Sequence, residues 1–490
     1  MRDVVGKVAA LAALVSLAIP TWWFVVVSAA APRTSDNGVF LSVAAAVADG
    51  APLYVGVVDN KDPLFYYALA GALKFGPGAA QLLDAFWLLL AAIGGWLMSR
   101  SVTRPMLALF VGFVCTPLVI LGIAYQPGMT NIPGTALVML GMGLLVTRVW
   151  WMSGALLALA VAAKITVVPI AIGVLAASLL VPQMRARASR SFVVFLGSLV
   201  VVAGALWVVG SIGGYVKVVA DNLRYSGDVL VYFGLSPDLL GHLERLEFDM
   251  SAGRWITAIS ILIVAGVAAG LWRFRSEELK VLSVWLWIAI VGTLASLGFT
   301  YVWPHHWQVL ALPAGLALVV SVGLTVQLLD GRRGGFLLPW VTAMALILPL
   351  GGWIPIERIT TSFQAERAEW PQWRSDLAGR PLESKLLETV PLSEFTVARL
   401  GTNDSASFLL NLPEEASLAC PRFHLYDFSP IEHFDDALDC LKQVDVVIVT
   451  DQFLNFQNGW RSASVAPLVS EISASFMCLR LEDRQVCSRL

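Results

Sequence analysis

The chain has 490 residues, of which 57% are hydrophobic and 14% charged, and its mean hydropathy is +0.74. A soluble domain carries about a quarter charged residues, so this composition excludes one and indicates an integral membrane protein. The formal net charge of -2 excludes bulk attraction to nucleic acid or anionic lipid, and partners have to be read from local sites.

Arg2 and Lys7 precede an apolar run over 8–31 that superficially resembles a secretion signal. The run is too long for one, and Pro32-Arg33 is a poor cleavage site, so it reads as a retained first transmembrane helix. The first external loop, 32–63, then gathers Asp36, Asp49, Asp59, Lys61 and Asp62 in a chain where charge is scarce. A charge-rich loop at the mouth of a membrane bundle is a candidate reaction site. Asp36 opens an amphipathic helix, VFLSVAAAVADG, expected along the membrane surface and broken at Gly50-Ala51-Pro52. It can cap that helix and still act as a functional carboxylate. Asp59, Lys61 and Asp62 stand just before Pro63, where the chain re-enters the membrane. Lys61 suits a phosphate, and Asp59 offers oxygen to a divalent cation, Mg or Mn. The plainer reading is a solvated turn closed by a Lys-Asp pair.

Further spans are expected near 79–100, 105–124, 130–150, 191–212, 254–274, 280–301, 305–328 and 335–354, each about the 20 apolar residues that a bilayer needs. Residues 152–181 are interrupted by Lys164 and Pro169, as one kinked helix or two short ones. Arg185, Arg187 and Arg190 form the strongest basic cluster and reach the cytoplasm only if this stretch crosses an even number of times. Two short helices turning near Lys164 therefore win, giving about eleven crossings, a cytoplasmic N-terminus and an extracytoplasmic C-terminus.

That topology puts the unusual polar residues on one side. They are the loop with Asp36, the turn YQPGMTN at 125–131 with Gln126 and Asn131, Lys164, the external loop 213–253 with Arg224, and YVWPHHW at 301–307 with His305 and His306. An unpaired ammonium in an apolar hairpin is costly, so Lys164 needs an anionic partner unless it snorkels to the interface. Arginines of the loop 213–253 suit bidentate phosphate contacts, although a solvated loop would carry the same charges. The histidines, flanked by Trp303 and Trp307, have no third ligand at metal spacing.

Residues 1–354 form the transmembrane domain, and beyond them 355–490 turn polar, with β-patterned runs FTVARLG, VDVVIVTD and FMCLRLED alternating with helical segments such as 435–443. This pattern indicates a small extracytoplasmic α/β domain. Of the five cysteines, Cys420, Cys440, Cys478 and Cys487 fall there, with Cys420–Cys440 and Cys478–Cys487 as the local pairing among three connectivities. No P-loop, GxSxG, zinc motif or dinucleotide fingerprint occurs, which argues against an ATP-driven pump, a hydrolase or a nucleotide-sugar enzyme. A transporter or lipid-linked-sugar flippase would spread charge through the membrane and show an inverted repeat, neither of which is seen. A noncatalytic cell-envelope assembly protein, with the tail as binding module, is the other alternative.

The stretches SDNGVFLSVAAAVADGAPLY, NKDPLFYYALAGALKFGPGAAQLLDAFW, SGALLALAVAAKITVVPI and HHWQVLALPAGLAL, in that order over roughly the first 330 residues, resemble the GT-C superfamily of membrane glycosyltransferases. The resemblance is to the branch with protein mannosyltransferases and the lipid A aminoarabinose transferase. It implies a polytopic GT-C-like fold and sugar transfer from a polyprenyl-phosphate donor, at the outer face and with inversion, to a glycan, glycolipid or protein acceptor. It implies Asp36 as the catalytic base and Lys61 at the donor phosphate, with Lys164, His305 and His306 near the headgroup. Relatives often carry a second acidic residue near the start of the fourth helix, where this chain has Gln126 and Asn131; that departure weighs against a two-carboxylate or metal-dependent scheme. The Ala- and Val-rich usage points to a GC-rich bacterial source, in which polyprenyl-phosphate mannose and arabinose are the donors to expect.

Overall fold

The computed structural model describes residues 2–30, 35–123, 128–232, 252–271, 276–298, 304–329, 342, 394–400, 416–420, 425, 431–455, 462–481 and 484–490. Helix α1 spans Arg2–Ala30, α2 Ser35–Ala48, α3 Pro63–Leu73 and α4 Pro77–Val102. Next come α5 (Pro105–Phe110) and α6 (Thr116–Gly122), joined without a break by one π-turn, Val111–Cys115, where the Thr116 hydroxyl donates to the Val111 carbonyl at 2.9 Å. Then follow α7 (Asn131–Val146), α8 (Trp150–Ala163), a short 3-10 turn Ile165–Val167, α9 (Val168–Leu180), α10 (Pro182–Val208) and α11 (Ile212–Tyr232). The helical part closes with α12 (Ala252–Gly270), α13 (Glu277–Gly298), a 3-10 stretch Pro304–Leu310 and α14 (Ala311–Leu329). Proline stands in the first turn of α3, α5 and α9, where its fixed φ and missing N–H cost nothing.

The chain divides into two compact units. One holds Met1–Ala31, Gln81–Ala203 and Arg245–Ser362; the other holds Pro32–Ala80, Gly204–Glu244 and Phe363–Leu490. Among the described residues six helices are long and apolar enough to cross a bilayer: Leu11–Ala29, Gly78–Val102, Pro105–Gly122, Pro182–Val208, Glu277–Leu297 and His306–Leu328. Shorter apolar helices, including α7, α8 and α9, accompany them. The protein is therefore a polytopic helical membrane protein. The apolar stretch 152–181 is two helices that break at Lys164, whose extended backbone (φ -158°, ψ 102°) ends α8. The span expected over 335–354 lies almost wholly outside the described residues.

Two expectations are corrected. Helix α2 is not amphipathic: Val39, Phe40, Ser42, Val43 and Ala44 are all buried, so it is covered on several sides, because its residues beyond the first turn are nearly all apolar. The segment 213–253 is not simply a loop, since α11 carries it as helix to Tyr232; buried Val218 and Val229, eleven residues or three turns apart, mark its inward stripe.

The C-terminal part is a five-stranded sheet of order β2-β1-β3-β5-β4, from β1 (Phe395–Leu400), β2 (Ala416–Leu418), β3 (Val446–Thr450), β4 (Phe476–Leu481) and β5 (Arg484–Arg489). Strand β1 runs parallel to β2 and β3, and β5 antiparallel to β3 and β4. Helices α15 (Ile431–Leu441), α16 (Asp451–Asn455) and α17 (Ser462–Ser475) complete the domain. Its core includes Leu400, Phe434, Leu441, Val447, Val449, Phe453 and Leu468. Two disulfides tie it together: Cys420–Cys440 fastens the segment after β2 to α15, and Cys478–Cys487 links directly opposed positions of β4 and β5.

Just ahead of β3, Asp445 accepts hydrogen bonds from the Thr396 amide at 2.8 Å and the Thr396 hydroxyl at 2.7 Å, and these hold its carboxyl below the usual carboxylate range. The folded state thus favours the ionised form, so the stability that Asp445 adds is present above the unfolded value of about 3.9 and fades as pH falls through the folded one. Asp445→Asn is expected to flatten the acid side of the full-length protein's thermal-stability profile below about pH 4. An unchanged acid slope in the variant would show that Asp445 carries none of it.

Candidate active site

The polar residues form two clusters, one in each unit. The first is built on the tight turn Asp59-Asn60-Lys61-Asp62 that leads into α3. Asp59 and Asp62 are only 2% and 6% exposed, so neither is the solvated turn residue that composition suggests. A buried carboxylate needs donors, and each has a phenol: Tyr66 of α3 donates to Asp59, and Tyr215 of α11 donates to Asp62 at 2.7 Å. Asp62 occupies the N-cap position of α3 yet makes no side-chain capping bond, its carboxylate being turned to Tyr215. The Tyr54 hydroxyl donates to the Lys61 carbonyl at 2.7 Å, and Asn222 of α11 donates to the Asn60 carbonyl at 2.9 Å.

Burial first, and the Asp62 carboxylate second, push the hydroxyls of Tyr54 and Tyr215 well above the ordinary phenol range. Both therefore remain protonated donors at physiological pH. Tyr54 sits at φ +66°, a conformation uncommon for an L residue, and α11 packs against its carbonyl through Gly214, where a Cβ would lie 2.3 Å from that oxygen.

This scaffold fixes Lys61. Its ammonium donates to Asn60 Oδ1 and lies 5.3 Å from the centre of the Phe40 ring of α2. Phe40 in turn packs edge-on against Phe65, with ring centres 5.4 Å apart, and against Tyr66, at 6.4 Å. Helix α2 begins at Ser35, so Asp36 stands in its first turn, one turn before Phe40. The side chain of Asp36 lies outside the described ones, as do those of Arg224, within α11, and His305.

The second cluster surrounds Lys164 in the membrane unit. Its ammonium donates to the Thr130 hydroxyl at 3.2 Å, and Gly134 of α7 allows the approach, since a Cβ there would come within 2.9 Å of Lys164 Cβ. Thr130 and Asn131 are buried. Asp84 of α4, also buried, accepts from the Gly128 amide of the same turn. Sequence reasoning passed over Asp84, though a lone acid in the apolar run QLLDAFW was the available signal. It supplies this turn with a carboxylate from another helix. Gln126 lies outside the described residues, and His306 is half-buried in the 3-10 stretch before α14.

Among the described residues no three His, Cys, Asp or Glu side chains come together to hold a metal ion. Asp59, the expected Mg or Mn ligand, is engaged by Tyr66.

No protein-family sequence model matches the chain, and no curated protein matches it in sequence. Solved structures do. The crystal structure of ArnT from Cupriavidus metallidurans bound to undecaprenyl phosphate is 14% identical, with a TM-score of 0.50 over 98% of this chain and 98% of that one. The oligosaccharyltransferase of Archaeoglobus fulgidus, tethered to an acceptor peptide containing the NVT sequon, is 11% identical, with a TM-score of 0.50 over 99% of this chain and 74% of that one. Identities this low carry the fold and nothing finer. Over nearly its whole length, the chain shares the polytopic helical fold of these two membrane proteins.

Proposed function

We propose that the protein is a membrane glycosyltransferase that moves a sugar from a polyprenyl-phosphate donor to an extracytoplasmic acceptor hydroxyl with inversion. The observation that carries this reading is the Lys61 turn, tied down by part-buried hydrogen bonds from Tyr54, Tyr215 and Asn222 and with its ammonium over Phe40 of α2, the helix whose first turn holds Asp36. The fold likeness to ArnT, a protein seen with undecaprenyl phosphate, supports the donor class. In the proposed step, the acceptor oxygen attacks the anomeric carbon while the bond from that carbon to the phosphate oxygen breaks. Asp36 takes the acceptor proton, and the polyprenyl phosphate leaves with the electron pair. Lys61 neutralises the charge gathering on the leaving phosphate, with Lys164, His305, His306 and Arg224 as further candidates for the headgroup.

Residues 1–354 are proposed as the transmembrane domain and 355–490 as the extracytoplasmic one, with the N-terminus in the cytoplasm. Support comes from the two disulfides of the C-terminal domain, a feature of oxidising compartments, and from the arginines at 185, 187 and 190. The test is reconstitution in liposomes with polyprenyl-phosphate mannose or arabinose and a cell-envelope glycan extract. Sugar should appear on the extract with release of polyprenyl phosphate. Movement of the intact lipid-linked sugar between leaflets without transfer would instead make the protein a flippase.

A further inference from the structure

Helix α11 makes two bonds to the Lys61 turn, from Tyr215 to the Asp62 carboxylate and from Asn222 to the Asn60 carbonyl. Positions seven apart lie two helical turns apart on one face, so a single rigid edge grips the turn on both sides of Lys61. Two nearer tyrosines also bond the turn: Tyr54, seven residues upstream of Lys61, and Tyr66, seven downstream of Asp59. Other positions of α11 face the C-terminal domain. Lys217 pairs with Asp436 at 3.4 Å, and Asp221 lies 3.3 Å from His433, both partners on α15. Gly214 seats the helix against Tyr54.

We infer that Tyr215 and Asn222 are positioning residues, which aim the Lys61 ammonium at the donor phosphate by clamping its turn to α11. The inference rests on the donor-phosphate role proposed for Lys61, and it assigns α11 a function that the charges of this segment alone do not suggest. The clamp joins sequence-distant parts of the chain, Asp62 and Tyr215 being 153 residues apart. Because α11 is also fastened to α15, the C-terminal domain holds the helix that holds the lysine.

The test is a double-mutant cycle in the full-length protein in nanodiscs, with undecaprenyl phosphate as the probe. Tyr215→Phe is expected to weaken its binding about tenfold, the size of one hydrogen bond to a charged group, and to raise the donor KM more than it lowers kcat. Asn222→Ala should act in the same direction, which keeps the inference testable if one variant folds poorly. In a Lys61→Ala background neither change should weaken binding further, because the lysine they aim is gone. Amide exchange over residues 55–62 should quicken in both variants. Full additivity with Lys61→Ala, or slow exchange and unchanged binding in Tyr215→Phe, overturns the positioning role while leaving the donor reading intact. If Lys61→Ala itself leaves undecaprenyl phosphate binding unchanged, the donor reading falls and this inference with it.

Discussion

Asp36→Asn is expected to leave the protein folded and inserted in the membrane while sugar transfer falls about 10²–10⁴-fold, the usual contribution of a general base. An acceptor hydroxyl is a poor nucleophile until its proton begins to leave, and a carboxylate can take that proton where an amide cannot. Asparagine keeps the shape of the side chain, so packing around it is undisturbed. Asp36 lies in the first turn of α2, where a negative charge meets the positive end of the helix dipole. Losing that charge costs about 0.3–1 kcal/mol of stability, which separates cleanly from a loss of turnover of this size. Turnover per folded molecule, paired with a thermal melt, makes the measurement. Undiminished transfer by Asp36→Asn removes the proposed base.

Replacing Lys61 with methionine should cost about 10²–10³ in turnover, comparable to removing one preorganised group that stabilises developing charge, together with a loss of undecaprenyl phosphate affinity. Methionine keeps an unbranched stem but puts no charge over the Phe40 ring. Lys61→Arg restores the charge without the compact ammonium, and so should recover binding better than turnover. Equal affinity for undecaprenyl phosphate in wild-type protein and Lys61→Met would place the phosphate elsewhere. The two variants differ in kind. Asp36→Asn should bind donor normally and fail to transfer, whereas Lys61→Met should fail at both.

Much of the fold was legible because apolar runs and interrupting charges speak directly about membrane crossing. Lys164 marked the break between α8 and α9, because an ammonium is costly in the middle of a span. Runs such as VDVVIVTD marked β3 by β-branched content. The site was legible only as a set of residue types in one stretch. Nothing local says that the carboxylate of Asp62 meets a phenol 153 residues later, or that Asp84 meets the amide of Gly128, because such pairs are fixed by tertiary packing. Charge density also disguised α11. Lys217, Asp221 and Asn222 read as solvated loop, whereas each bonds to a neighbouring element and Val218 among them is buried. Position 54 carries no sequence signal for its positive φ, which follows from the turn that Tyr54 closes onto Lys61.

The most direct measurement is a cryo-electron microscopy map of the protein in nanodiscs with undecaprenyl phosphate bound. Phosphate density is expected within about 3 Å of Lys61 Nζ, the length of a charge-assisted hydrogen bond, with the Asp36 carboxylate facing the side of the phosphate where the sugar would sit. Phosphate seated away from Lys61, or Asp36 turned to the lipid, would contradict this placement.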